Sequence, residues 1–599
     1  MKKIFIASLA IVALAATSCN QSLLDIDQKG VTAIDNFYQT DDDCEQALAA
    51  AYAGFGTNVA SRGAAYIYTP FRAAFNNCGD DFYAAGSNFG DNDYMAALNE
   101  FRYDSGCEVI GNMYSGFYLS LYTINLVIDN FKDGLPEGGQ TAVTKRCVAE
   151  ARVLRAYIHM MLAIGWDCPP FVDHVLSGSD LPYNCDKDPE NPMTHEELLQ
   201  WCAEECLAAL PDLNERAGTS DKDGAVKVTK GFANAVAGKA YIFAGKYSEA
   251  KSCLKAVIDS QKYALVPGDQ YTDLFHIEGD ANAEKVFEAN IEYNAGLGSW
   301  SGINQRSTWM EANIWSWRSD HFAKSPNSVY TGGADGWGGC GVPYDFASDF
   351  LSNDGPDSYR FNSTLIHIDD VVYGKPEIGL TYGDSAIDDL PLEQKKASTD
   401  IGISDVKDGL YGQSFYLPLK QVVKATDCNA NYGNNVRLNN FTIMRYAEVL
   451  LLYAEACVQS GSAADALPYI NAIQQRAGSQ TISSAVTMDV VKKEKKYELW
   501  LESCRWADLV RWGDTDGVKA AGQNVPKLFD KLFRAPASGE TPIWENGSEA
   551  NSRFYMVYTH EAKDRGDQIG FVAGKHEHFP YPTTVIAKNP NLVQNPGWE

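Results

Sequence analysis

The chain has 599 residues, of which 45% are apolar, 12% aromatic and 21% charged. That is enough material for a large packed interior and too few charges for wholesale disorder. Fifty basic against 78 acidic residues leave a formal charge of −28, which repels a phosphate backbone and excludes nucleic acid as a partner.

The N-terminus sets the compartment. Lys2 and Lys3 precede an apolar run from Ile4 to Ala16, too short for a span of about 20 residues but matching a secretory signal. The run ends in Ala16-Thr17-Ser18-Cys19. Small residues before a cysteine resemble a bacterial lipobox, in which the thiol takes diacylglycerol and Cys19 becomes the new N-terminus. The alternative is an ordinary signal peptide with an incidental cysteine. The expectation is a lipoprotein signal peptide over 1–18 and a mature body over 19–599. With no later run of about 18 apolar residues, that body is anchored to a membrane by lipid without spanning it.

Asp41-Asp42-Asp43 is expected to open a helix, where carboxylates suit the positive end of the dipole. Asp80-Asp81-Phe82-Tyr83 and the residues up to Tyr94 interleave Asp, Asn, Gly and aromatics. Asp80 and Asp81 are candidates for a ligand site or, more weakly, for structural calcium, although neither acidic stretch has EF-hand spacing. No other cofactor is implied. From Ala149 to Trp166, Leu154, Tyr157, Ile158, Met161 and Leu162 recur at helical spacing and form one apolar stripe. Cys202 and Cys206, four apart, read as small core residues, because no His or Cys pair completes a tetrahedral metal set.

A degenerate repeat follows. Gly245 has Ala250, Leu254 and Val257 at +5, +9 and +12, and Gly461 has Ala466, Ile470 and Ile473 at the same offsets. A Gly permitting a tight interhelical turn, then a small residue where helices cross, resembles the tetratricopeptide unit. Ile443, Tyr446, Ala447, Leu450, Ala454 and Cys457 are expected on one helix face. Between the copies, residues 296–341 hold five of the chain's 12 Trp and nine Gly, without helical periodicity. So much Trp argues against disorder, and long loops are commonly functional. At the other end, His576-Glu577-His578 sets two imidazoles on one side of a strand, but with no third ligand a polar loop is the preferred reading.

Several segments together resemble one family. They are the lipobox; Glu150-Ala151-Arg152 with Leu154-Arg155-Ala156; Arg445-Tyr446-Ala447-Glu448; Ile470-Asn471-Ala472-Ile473 leading to Arg476-Ala477-Gly478; the run Glu498 to Gly513; and Pro580-Tyr581-Pro582 followed by Asn589 to Trp598. In this order they look like the SusD/RagB family. Trp500 and Ser503 depart from it, standing where the family usually has Ala and Gly, as does Lys495-Lys496 in place of an arginine pair. The resemblance implies a mainly α fold of irregular tetratricopeptide-like pairs, with loop-rich and short β-hairpin insertions. The helical regions fall at about 19–290 and 441–515, a Trp/Gly-rich insertion at about 291–440, and a C-terminal segment at 516–599. It also implies a lipid-anchored protein of the outer membrane, facing the exterior, that captures oligosaccharide or polysaccharide for a SusC-like TonB-dependent transporter. Peptide capture of the RagB kind and, less favoured, glycoside hydrolysis are the alternatives; the expectation is a binding protein with no catalytic residues.

The motifs themselves read as scaffold, with Glu502 and Arg505, and Asp508 and Arg511, pairing at i+3 along one helix. Basic neighbours should keep Glu498 and Glu502 ionised, which spoils an acid–base pair. The ligand contacts are assigned instead to Trp300, Trp309, Trp315, Trp317 and Trp337, with Phe82, Tyr83, Asp80 and Asp81. Indole and phenol faces pack on the C–H patches of pyranose rings, and Asn304, Gln305, Arg306, Asn313 and Arg318 supply hydroxyl partners. The other reading of each Trp is an anchor of its loop on the helices. High negative charge makes a neutral or lightly charged glycan the default.

Overall fold

The computed structural model describes residues 37–60, 70–86, 93–290, 316–317, 327–330, 336–383, 385–397, 415–427, 438–514, 530–534, 554–558 and 570–599. The fold is mainly α, and five helices start on a threonine. Thr40, Thr141, Thr194, Thr229 and Thr487 each accept a backbone N–H from three residues on. At the first three the third helical residue bonds back to close a capping box, satisfying donors that the helix leaves orphaned. Asp41–Asp43 does open a helix, Asp41–Phe55.

The helices Glu108–Phe131, Ala142–Trp166, His195–Ala209, Lys230–Phe243 and Tyr247–Asp259 pack each on the next. The last of them continues the array onto Tyr446–Gln459, which packs in turn on Leu467–Ala477 and Met488–Glu498. Ala142–Trp166 is central, every residue from Val153 onward being buried. Both predicted helix pairs are present. Gly245 and Gly461 sit at φ +71° and +77° in the interhelical turns, a backbone that glycine adopts without penalty. All six residues at the repeated offsets are buried. Cys202 and Cys206 are buried with them.

One boundary differs from expectation. Ile443 lies in the strand Phe441–Arg445, and the helix starts at Tyr446. That strand pairs antiparallel with Lys285–Ala289, setting Lys285 opposite Arg445 and Ala289 opposite Phe441. The 290–440 insertion therefore leaves the scaffold and rejoins it on neighbouring strands. Its described parts carry helices such as Tyr344–Asp354 and Tyr359–Thr364 as well as short strands. The C-terminal signature folds back on the central helix. Phe579 donates to the Gly165 carbonyl at 2.7 Å, and Trp166 Nε1 donates to the Pro580 carbonyl at 2.9 Å. His576 is not in a polar loop. It is buried among Phe101, Tyr103, Phe571 and Trp598, and its Nδ1 accepts the Val572 N–H at 2.7 Å. Among the described residues, no helix is long and apolar enough to cross a membrane.

Candidate ligand-binding site

The two stretches marked out by aromatic, Asp and Gly content meet. Tyr83–Ala84 pairs antiparallel with Cys340–Gly341, and the ladder runs on through Ala85 N–H to the Gly339 carbonyl at 2.9 Å and Gly86 N–H to the Gly338 carbonyl at 2.8 Å. Gly338 N–H donates to the Ser316 carbonyl at 2.8 Å, which brings the Ser316–Trp317 backbone alongside. Gly336 is required here, since a Cβ would stand 2.3 Å from the Ser316 and Trp317 carbonyl oxygens.

The loop before this ladder is fastened to the scaffold through the Glu498–Gly513 run. Trp500 Nε1 donates to the Asp81 carbonyl at 2.8 Å. Ser503 N–H donates to Asn76 Oδ1 at 2.9 Å. Arg505 grips Asp80 with two bonds of 2.6 and 2.8 Å. Inside the loop, the buried Asn99 side chain accepts the Ala84 N–H and donates to the Asn77 and Phe82 carbonyls. These supports are what the sequence reading missed. Asn99 gave no signal, whereas Trp500 was visible as a departure from the family pattern. Ser503 was visible in the same way, and its φ of +65° explains why glycine suits the position.

The sequence-predicted residues fall into groups. Trp300, Trp309, Trp315 and Cys19 lie outside the described residues. Phe82 and Trp317 are 3% and 1% exposed, so as placed their rings anchor the loops and present no open face. Trp337 is half-buried against the same core. Tyr83 is placed by its backbone in the ladder. Asp81 is buried, and burial together with the neighbouring Asp80 charge pushes its carboxyl up to about 7. Asp80 is half-buried, and Arg505 holds it below the ordinary carboxylate value against the cost of that burial. With Asp80 engaged by Arg505, the pair does not offer the six to eight oxygens that calcium takes. Among the described residues, no three metal-ligating side chains converge.

The motif carboxylates are structural. Arg445 binds Glu284 at 2.8 Å, Glu498 at 2.6 Å and Glu502 at 2.7 Å. Arg476 bridges Glu284 and Glu498 as well. From the insertion, Arg360 reaches Glu498 at 3.0 Å and Asp354 at 2.8 Å, while Lys420 reaches Glu502 at 2.7 Å. Burial opposes ionisation, but the three guanidiniums hold Glu498 well below the carboxylate range, and Arg445 with Lys420 holds Glu502 down at about 2. Neither can serve as a general acid at neutral pH. The expected Glu502–Arg505 pair is not formed, because the helix begins only at Arg505 and the turn before it aims the two side chains at different partners. Asp508 and Arg511 do pair, at 2.7 Å, and both are largely buried.

The "SusD-like protein" of Bacteroides ovatus is 23% identical over 525 residues, covering 84% of this chain and 81% of its own. "SusD-like protein P38" of Formosa agariphila is 21% identical over 532 residues, covering 85% and 91%. Among solved structures, a laminarin binding SusD-like protein superposes with a TM-score of 0.66 at 20% identity, over 94% of this chain and 100% of its own. Surface glycan-binding protein A from Bacteroides thetaiotaomicron, in complex with laminarihexaose, gives 0.65 at 19% identity over 93% and 100%. The family model described as the SusD family matches residues 284–598, a span that takes in the returning strand, the buried ion lattice and the C-terminal signature, and the chain belongs to that family.

Proposed function

We propose that this protein captures an oligosaccharide on the loop surface built around residues 80–86 and 336–341. Lipid-anchored through Cys19 at the outer face of the outer membrane, it passes the oligosaccharide to a SusC-like TonB-dependent transporter. The observation that carries this reading is the ladder between Tyr83–Ala84 and Cys340–Gly341. It joins two distant aromatic and Gly-rich stretches into one platform that is braced from below by Trp500 and Arg505. Structural relatives named for binding laminarin and laminarihexaose support a glycan as the ligand. Trp337, Tyr83, Trp300, Trp309 and Trp315 are the proposed stacking contacts; Phe82, Trp317, Asp80 and Asp81 position them. The protein binds and does not hydrolyse.

A glycan array that includes laminarin oligosaccharides, followed by single Ala substitutions at those four Trp, tests the assignment. At least one variant should lose affinity on the order of tenfold, about 1.4 kcal/mol, with an unchanged thermal melt. Wild-type binding in all four would place the site elsewhere, and competition by peptides but not sugars would favour peptide capture. For the anchor, Cys19→Ala should shift the protein from the membrane to the soluble fraction; retention in the membrane would overturn it.

A further inference from the structure

Away from the loop platform, a cavity of about 330 Å³ opens where the end of Glu108–Phe131, the first half of Ala142–Trp166 and the end of His195–Ala209 converge. Its charged lining is Lys132, Lys145, Arg152 and Arg155 against Glu205 and Asp212, and with Asp129 set against Lys132 it keeps an excess of one positive charge in a chain of net −28. Two of the guanidiniums share a single carboxylate. Arg152 Nε and Nη2 bind the two oxygens of Glu205 at 2.8 Å each, and Arg155 Nη2 binds Oε1 at 2.7 Å. The Arg155 side chain is only 9% exposed. Its Nη1 goes to neutral acceptors, Asn125 Oδ1 and the Asp173 carbonyl, and its Nε is buried without a partner among the described residues. Lys132 lies 3.7 Å from Asp129, and Lys145 stands exposed at the rim.

Glu205 is the one carboxylate bonded to either guanidinium among the described residues, with Asp212 acting on Arg152 only through space, so the buried Arg155 shares its counter-charge, and an under-compensated buried cation is costly. An anion in the cavity would add the charge that Glu205 divides between the two guanidiniums and would accept a charge-assisted bond from the exposed Lys145. We propose that this cavity binds a small oxyanion, the chemistry shared by inorganic sulfate and the carboxylate of an acidic sugar. It is a second site, independent of the platform on which neutral glycan capture is proposed.

Isothermal titration of the full mature chain at constant ionic strength tests this with sodium sulfate, sodium glucuronate and, as the uncharged control, glucose. Saturable binding at one site per chain is expected for at least one anion and not for glucose. Lys145→Glu should weaken it on the order of tenfold or more while leaving the anion-free melt and neutral glycan binding unchanged. Lys145→Ala, a milder change at the same exposed position, should weaken it less. Binding of sulfate alone assigns a free inorganic anion, and preference for glucuronate assigns an acidic sugar. No saturable binding, or equal affinity in wild type and Lys145→Glu, overturns the proposal, whether or not the platform binds glycan.

Discussion

Asp80 and Asp81 are neighbours of opposite electrostatic character, because Asp80 lies in an arginine's grip whereas at Asp81 burial and the like charge of Asp80 outweigh the pull of Arg505 and Lys496. Asp81 Oδ2 has no partner among the described residues, and its carboxyl is pushed up to about 7. Since the folded value lies above the unfolded one, Asp81 contributes stability that is complete below about pH 4 and is lost as pH rises toward 7. Asp81→Asn should therefore be more stable than wild type at pH 8, on the order of 1–3 kcal/mol, and equal to it near pH 4; urea midpoints at the two pH values check this. At this scale the sequence was partly legible. Asp80, Asp81, Phe82 and Tyr83 were assigned to one ligand site with the Trp cluster, and Tyr83–Ala84 does pair with Cys340–Gly341, but which of them point inward depended on Trp500, 419 positions away from Asp81. Local composition carries no such information.

Helices were the most legible elements, because a buried stripe repeats every turn. The strand Phe441–Arg445 was not, since five apolar-rich residues fit the end of a helical stripe as well as a strand and the pairing partner lies more than 150 residues earlier. The repeat glycines separate two physical roles. At Gly245 and Gly461 a Cβ would meet nothing within 4 Å, so alanine is opposed there only by the left-handed backbone, at a cost of about 1 kcal/mol. Gly238 has no such backbone, but a Cβ would stand 2.5 Å from Leu254 Cγ, so alanine there overpacks the helix crossing at about 1–3 kcal/mol. Asparagine, which tolerates the left-handed region, should recover part of the loss at Gly245 and Gly461 and deepen it at Gly238, as read from denaturation midpoints.

Across the whole molecule three of the family motifs, those carrying Arg445, Arg476 and Glu498 with Glu502, converge with Glu284 on one buried lattice, and Arg360 and Lys420 arrive there from the insertion. The sequence reading identified these letters as scaffold and expected short pairs along one helix. Asp508–Arg511 is such a pair, but the partners of Glu498 and Glu502 come from four separate segments, through Arg360, Lys420, Arg445 and Arg476. Glu502 is held down at about 2, below its unfolded value, so its contribution is present above about pH 5 and is lost as pH falls toward 2. Glu502→Gln should lower stability at pH 7 by on the order of 3 kcal/mol and flatten the decline between pH 5 and pH 3; a slope as steep as wild type's would show that the acid sensitivity arises elsewhere.

The entry and exit of the insertion on paired strands have an evolutionary consequence. Ala289 and Phe441 face each other across a ladder, where opposed Cα atoms lie about 4.5–5.5 Å apart, so a segment of different length can leave and rejoin the scaffold at the same two strands. Such an exchange is constrained wherever the insertion packs back on the scaffold, as Phe346 does on Trp500 and Phe350 on Tyr497, and above all at the ion lattice. Glu498 and Glu502 stay behind in the scaffold, and a replacement that brought no counterparts of Arg360 and Lys420 would leave them short of buried counter-charge. Binding surfaces in this architecture can therefore diversify by wholesale segment replacement, provided that each donor segment carries its own two cations to the same seat.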